Sequence, residues 1–236
     1  MLKYQKIARE LEKYIEDNAM VRGDKLPILD DLMKEFEVSK STITKALEIL
    51  EVKGTIYQVR GSGIFVRGHN RKGYINLLSN QGFRQSLKDF EVSSELLEMA
   101  VTMPTKEAAT NLSIDMDEEV YYVKRLRRIQ GQRLCVEESY FKKSIVTYLN
   151  EQIVSESIFD YITEALNVNI GFSDIFFHVG KLNKKEAGYL GLKQDDPALY
   201  KESIYHLVNG EAFDFSRIVY SYQQSQFYIQ ANNYLP

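Results

Sequence analysis

At 236 residues the chain is long enough for two domains of ordinary size, and 44% hydrophobic with 27% charged residues is the composition of a protein that buries a real core. No apolar run approaches the roughly 18–20 residues of a membrane span, no Cys/His cluster suggests a metal site, and the single cysteine, Cys135, has no internal partner for a disulfide. Met1 to Lys6 carries charges with no apolar run behind them and does not read as a secretory signal, so the expectation is a cytoplasmic protein with no metal, no cofactor and no membrane partner.

The net charge of -3 averages two unlike regions. Residues 1–70 carry 12 Lys/Arg against 11 Asp/Glu, net +1, and residues 71–236 carry 18 against 22, net -4. A region so weakly basic draws any affinity for nucleic acid from a local arrangement rather than from a bulk field.

In chain order, Tyr4 to Met20 reads as an amphipathic helix with Ile7, Leu11, Tyr14 and Ile15 on one stripe. Arg22 to Pro27 is a turn, with Gly23 closing the first helix. Asp30 to Phe36 is a short helix presenting Leu32, Met33 and Phe36. Ser39 is a good N-cap for a further helix to about Lys53, which buries Ile43, Ala46, Leu47 and Leu50 before Gly54 ends it. The period then switches to two, and Ile56-Tyr57-Gln58-Val59 and Ile64-Phe65-Val66 flank the glycine-rich tip of a hairpin. Arg67 to Gly73 is polar, basic and glycine-flanked, as suits a linker.

Beyond it the pattern is α+β. Glu119 to Ile129 reads as a strand, turned by Gln130-Gly131-Gln132 into Arg133 to Phe141. Ser157 to Leu166 and Asn183 to Leu190 read as helices with capping-box starts at Ser157/Asp160 and Asn183/Glu186, the second closed by Gly191. Ala198 to Val208 and Glu211 to Gln223 read as strands joined by the two-residue turn Asn209-Gly210. The division expected is 1–67, a linker over 68–76, and 77–236.

Two short helices joined by a tight turn, a helix ahead and a hairpin behind, make a winged helix-turn-helix, whose second paired helix enters the major groove by its N-terminus. Those residues are Ser39, Lys40, Ser41, Thr42 and Thr44, with Lys45 behind; small hydroxyls and a lysine allow close approach to phosphates and bases. The tip Arg60-Gly61-Ser62-Gly63 supplies a cation and a thin backbone suited to a minor groove. A Ser/Thr-rich helix start alone is ordinarily a cap, and Gly-Ser-Gly alone a turn. It is their order and spacing that carry the reading.

Tyr4-Gln5-Lys6-Ile7-Ala8, Gly23-Asp24-Lys25-Leu26-Pro27, Val38 to Leu47 and Gly61 to Val66 together resemble the N-terminal domain of GntR-family regulators, over about residues 3–66. The resemblance implies operator binding through the helix start and wing, with Tyr4 added to the contact set. Three departures stand out. The family's glutamate-arginine pair after Leu-Pro is Leu29-Asp30 here, its first recognition-helix arginine is Lys40, and its second, one turn on, is Thr44. Lysine lacks the fork that reads guanine bidentately, so the operator expected departs from the usual family half-site.

In the strand Glu119 to Ile129, alternation places Tyr121, Val123, Arg125, Arg127 and Ile129 on one face and Val120, Tyr122, Lys124, Leu126 and Arg128 on the other. Both faces mix apolar and basic residues, which leaves open whether Arg125 and Arg127 form an anion clamp or a solvated basic edge. Ser157 opens a helix whose N-terminal N–H groups suit phosphate, or it simply caps it. Val123 to Arg127, Gly131 to Tyr140, and Pro197-Ala198-Leu199 through Asn209-Gly210 to Asp214 and Tyr220 resemble the UTRA ligand-binding domain of the HutC-type subgroup, a fold like that of chorismate lyase, over about residues 75–233.

This second resemblance implies that Arg125, Arg127 and Ser157 grip a phosphate, that Glu137 and Asp214 hydrogen-bond sugar hydroxyls, and that Phe83, Phe159 and Tyr220 line the pocket. Arg84, where a small hydroxyl residue often sits, adds a cation. Asp214 stands for the more usual glutamate, and Phe159 for a frequent tyrosine.

The whole then implies a homodimeric repressor released from double-stranded operator DNA by a phosphorylated sugar. An enzyme on the same fold finds no nucleophile-base pair, metal motif or nucleotide loop in the sequence, its three histidines (His69, His178, His206) being scattered. A DNA-binding protein with a ligand-free dimerisation domain is the remaining alternative.

Overall fold

Ile7, Leu11 and Ile15 put one apolar stripe along α1 (Lys3–Asp17), and that stripe meets Leu32 of α2 (Leu29–Glu35) and Ile43, Ala46, Leu47 and Leu50 of α3 (Lys40–Val52) in a single core. Each of the fully buried leucines and isoleucines there contributes about 1.5–3 kcal/mol. Ser39 caps α3, its hydroxyl accepting from the Thr42 N–H at 3.4 Å. The N-cap of α2 is Ile28, whose side chain accepts nothing, although Asp30 and Asp31 in the first turn suit the helix dipole. Ile56, Ile64 and Val66 close the core from β1 (Ile56–Val59) and β2 (Gly63–Val66), an antiparallel hairpin. The computed structural model describes residues 2–67, 73–77, 87 and 90–229, which form two compact units, one of residues 2–67 together with Ile229 and the other running from Gly73 to Tyr228. The three helices and the hairpin of the first unit make a winged helix-turn-helix.

Six antiparallel strands build the sheet of the second unit in the order β4-β5-β6-β9-β8-β7. They are β4 (Val92–Thr102), β5 (Val120–Ile129), β6 (Gln132–Lys142), β7 (Ile170–Lys181), β8 (Pro197–Leu207) and β9 (Ala212–Ser221). On one face, α4 (Lys106–Leu112) packs Ala108 and Leu112 on Val120 and Phe215, and α7 (Lys184–Leu190) packs Ala187 and Leu190 on Leu126, Val136 and Val219. The other face is covered at one end by α5 (Glu151–Ser155) and α6 (Ile158–Asp160). Its opposite end meets β3 (Tyr74–Asn76), which pairs in parallel with β10 (Gln226–Tyr228).

Several expectations change in detail. Of the residues expected to be linker, 68–72 lie outside the described residues, and Tyr74–Asn76 is a strand whose Ile75 joins the core. The helix from Ser157 to Leu166 is one α turn followed by a π turn over Tyr161–Ala165, closed by the Leu166 N–H on the Tyr161 carbonyl. Ile158 and Ile162, one turn apart, are both buried. The Asn209-Gly210 turn holds three residues rather than two. Gly210 donates to the Leu207 carbonyl and Leu207 to that of Glu211, so Val208-Asn209 form the turn and Gly210, at φ +87°, takes the left-handed position of a bulge. The solvated edge is excluded for β5, which pairs with β4 on one side and β6 on the other.

Candidate functional site

The start of α3 faces solvent. Ser39, Lys40, Ser41 and Lys45 are exposed, while Thr42 and Thr44 are half-buried. The Ser39 hydroxyl lies 3.0 Å from those of both Ser41 and Thr42, a cluster of small polar groups at the helix N-terminus. Lys45 Nζ stands 5.7 Å from the ring of Tyr4, which fixes the lysine beside α1. In the wing, Arg60, Gly61 and Ser62 are exposed, and Gly61 needs its positive φ of +79° for the turn. Phe65 stiffens the hairpin by stacking on Tyr57 at 5.4 Å. This is the geometry of a groove-reading unit, with donors on one helix end and a cation on the wing. Arg60→Ala is expected to weaken operator binding and lower the slope of log affinity against log salt by about 1; anisotropy titrations at several salt concentrations measure both.

The cross-strand register of the second unit assembles the other candidate residues on one face. Arg125 lies opposite Glu137, Glu137 opposite Ile218, and Ile218 opposite Lys201. The next row carries Val123, Ser139, Ser216 and Ser203, and the row beyond it Tyr121, Phe141, Asp214 and Tyr205. Of the seven buried polar or charged residues among those described, six lie here: Arg125, Ser139, Lys201, Ser203, Asp214 and Ser216. A stable core has no use for such a concentration, because buried polar groups destabilise unless paired.

Glu137 is the hub. Its Oε2 accepts from Arg125 Nε at 3.1 Å and Nη2 at 2.7 Å, and from Arg127 Nε at 3.3 Å and Nη2 at 3.1 Å. Burial alone would push its carboxyl up; the two guanidinium charges and their hydrogen bonds overrule it and hold the group at about 2. Arg125 Nη1 also donates to the Val154 carbonyl at 2.8 Å, tying the sheet to α5.

Asp214 behaves in the opposite way. Burial pushes its carboxyl well above the usual range against a hydrogen bond from Ser216, with the Glu137 charge adding to the rise. Ser139 donates to Ser216 at 2.8 Å and Ser216 to Asp214 Oδ1 at 2.7 Å, whereas Asp214 Oδ2 meets no partner among the described residues. Folding therefore holds a proton that the unfolded chain releases above its ordinary value near 3.8. The stability linked to this proton is complete below that pH and declines as pH rises towards the folded value. In Asp214→Asn, thermal melts from pH 4 to pH 8 are expected to lose that decline.

Ser157 caps α6, accepting from the Asp160 N–H at 3.2 Å, and Phe159 packs edge-on to Tyr205 at 4.7 Å. Tyr220 is buried among Cys135, Ile218 and Phe227. Phe83 and Arg84 lie outside the described residues. The register adds four residues that sequence reasoning passed over: Ser139, Lys201, Ser203 and Ser216. Period-two spacing from Asp214 to Ser216 and from Lys201 to Ser203 was the available signal.

A winged helix-turn-helix joined in one chain to a sheet domain with a buried polar face defines the class of DNA-binding transcriptional regulators. The family model for bacterial regulatory proteins of the gntR family matches residues 3–66, and that for the UTRA domain matches residues 88–224. The chain belongs to the GntR family and carries a UTRA domain. It is 65% identical over all of both chains to the uncharacterized HTH-type transcriptional regulator YydK of Bacillus subtilis (strain 168). The crystal structure of YydK superposes with a TM-score of 0.82 at 64% identity, covering 98% of this chain and 100% of that one. The HTH-type transcriptional regulator GmuR of B. subtilis (strain 168) is 32% identical over 92% of each chain. The mannosyl-D-glycerate transport/metabolism system repressor MngR of Escherichia coli (strain K12) is 26% identical over 95% of this chain and 93% of its own. These relatives are transcriptional regulators, and so is this chain, not an enzyme. UTRA domains bind the small-molecule effectors of such regulators.

Proposed function

We propose that this chain is a HutC-type, cytoplasmic, homodimeric repressor, released from its operator by a phosphorylated sugar bound on the polar face of the UTRA sheet. The observation that carries the reading is the charge balance of that face. Among the described residues of that face, Arg125, Arg127 and Lys201 surround the carboxylate of Glu137, while Asp214 is held towards its neutral form. A buried surplus of positive charge is unfavourable until an anion joins it. The serine hydroxyls of Ser139, Ser203 and Ser216 and the free oxygen of Asp214 are groups suited to sugar hydroxyls beside that anion. Ser157 and Phe159 border the same face from α6, and Arg84, Phe83 and Tyr220 complete the proposed effector set.

The repressor role is supported by MngR, a repressor by name. The dimer is supported by β7, an edge strand that exposes Phe172, Phe176, Phe177 and Val179. For reading DNA, the proposed contacts are Tyr4, Ser39, Lys40, Ser41, Thr42, Thr44, Lys45 and Arg60 to Gly63.

Thermal melting against a panel of phosphorylated mono- and disaccharides tests the effector class. At least one compound is expected to raise the melting temperature in a concentration-dependent way while its unphosphorylated counterpart does not. No stabilisation by any member would contradict the reading and favour a ligand-free dimerisation domain.

A further inference from the structure

Lys201 is a cation that the fold buries without a contact partner. It projects from β8 into the polar face at 6% exposure, and among the described residues no atom accepts a hydrogen bond from it or pairs with it. The arginines differ. Four of their N–H directions converge on one oxygen of Glu137, and a fifth is spent on the Val154 carbonyl. Glu137 therefore neutralises much of the pair internally, and the ammonium of Lys201, with three donors, is the least compensated charge on the face.

Position reinforces this. Lys201 and Glu137 sit in one cross-strand row with only Ile218 between them, a separation of about 10 Å at the backbone from two strand spacings. A lysine stem laid over Ile218 brings its head towards the arginine cluster from the opposite side. A buried lysine is unfavourable in the free protein, burial working against its charge and Glu137 only partly offsetting this.

We infer that Lys201 is a primary anion contact of the effector site, donating to the phosphate of a phosphorylated sugar across from the Arg125–Glu137–Arg127 cluster. The inference rests on the effector class proposed above. It makes affinity for phosphate depend on β8 as well as on the arginines of β5, and it gives the free protein a built-in instability that the ligand relieves.

Lys201→Met and Lys201→Arg in the full chain test it, with the phosphorylated sugar that most stabilises the wild type as probe. Met is expected to raise the melting temperature of the unliganded protein by roughly 2–4 °C, since it replaces an unpaired buried charge with apolar volume. Isothermal titration is expected to show affinity for the phosphorylated sugar falling about 10–100-fold in the Met variant and recovering in the Arg variant. Unchanged affinity in the Met variant, or a lowered melting temperature without ligand, would overturn the role of Lys201 while leaving the effector class standing. Failure of every phosphorylated sugar to bind the wild type would instead overturn the effector class and this inference with it.

Discussion

Glu137→Gln is expected to be the most damaging conservative substitution in the second unit, lowering stability by about 3–5 kcal/mol. Glutamine keeps the size of the side chain and an acceptor oxygen, so the loss isolates charge. Without the carboxylate, buried Arg125 and half-buried Arg127 lose the charge they share at 2.7 Å and 3.1 Å, on the face that also carries Lys201. A domain of this size moves by roughly 2–4 °C per kcal/mol, so a melt shift near 10 °C is the expected reading.

Two further signatures distinguish this from general damage. Glu137 is held at about 2, below its ordinary value near 4.5, so its stabilisation is complete above that ordinary value and is lost as pH falls through about 2. The gap between wild type and variant is therefore expected to be flat from pH 8 to about pH 5 and to narrow below that. The variant also exposes the clamp to outside anions, and millimolar inorganic phosphate should restore more melting temperature to Glu137→Gln than it adds to wild type. Equal responses to phosphate would mean that Glu137 does not occupy an anion site.

Lys40→Arg with Thr44→Arg is expected to change which operator is read. Both positions lie on the start of α3, Lys40 exposed and Thr44 half-buried. Arginine offers two parallel donors to the O6 and N7 of guanine, and each such pair is worth about 1–3 kcal/mol of discrimination. Selection from a randomised DNA pool is expected to return a half-site for wild type that departs from the usual family one. The double variant should regain guanine preference of about 10–100-fold at the facing positions. The same half-site from both proteins would show that the two residues do not face bases.

Local chemistry made part of this molecule readable. The Asn183/Glu186 capping box, with Gly191 at φ +67° closing α7, is written in adjacent residues and forms as spaced. Gln130-Gly131 works the same way, both residues taking positive φ to turn β5 into β6. The outer strands were not readable. Glu95-Leu96-Leu97-Glu98-Met99-Ala100 in β4 is rich in helix formers, and the strand exists through its pairing with β5. On β7 the solvent side is lined by aromatic residues, which blurs the alternation.

The candidate site divides along the same line. Arg125 and Arg127 are neighbours on one strand face and could be paired from sequence. The convergence of both on Glu137, and the placing of Lys201 across from them, depend on a register running over four strands.

The central claim is that occupancy of the polar face and operator binding oppose each other. Its most direct test is an anisotropy titration of the full chain on a selected operator, with and without saturating phosphorylated sugar, at constant salt. Operator affinity is expected to fall by about 5–150-fold with the sugar, and the affinity for the sugar to fall by the same factor on operator-bound protein. Unchanged operator affinity in the presence of a sugar that demonstrably binds would contradict it.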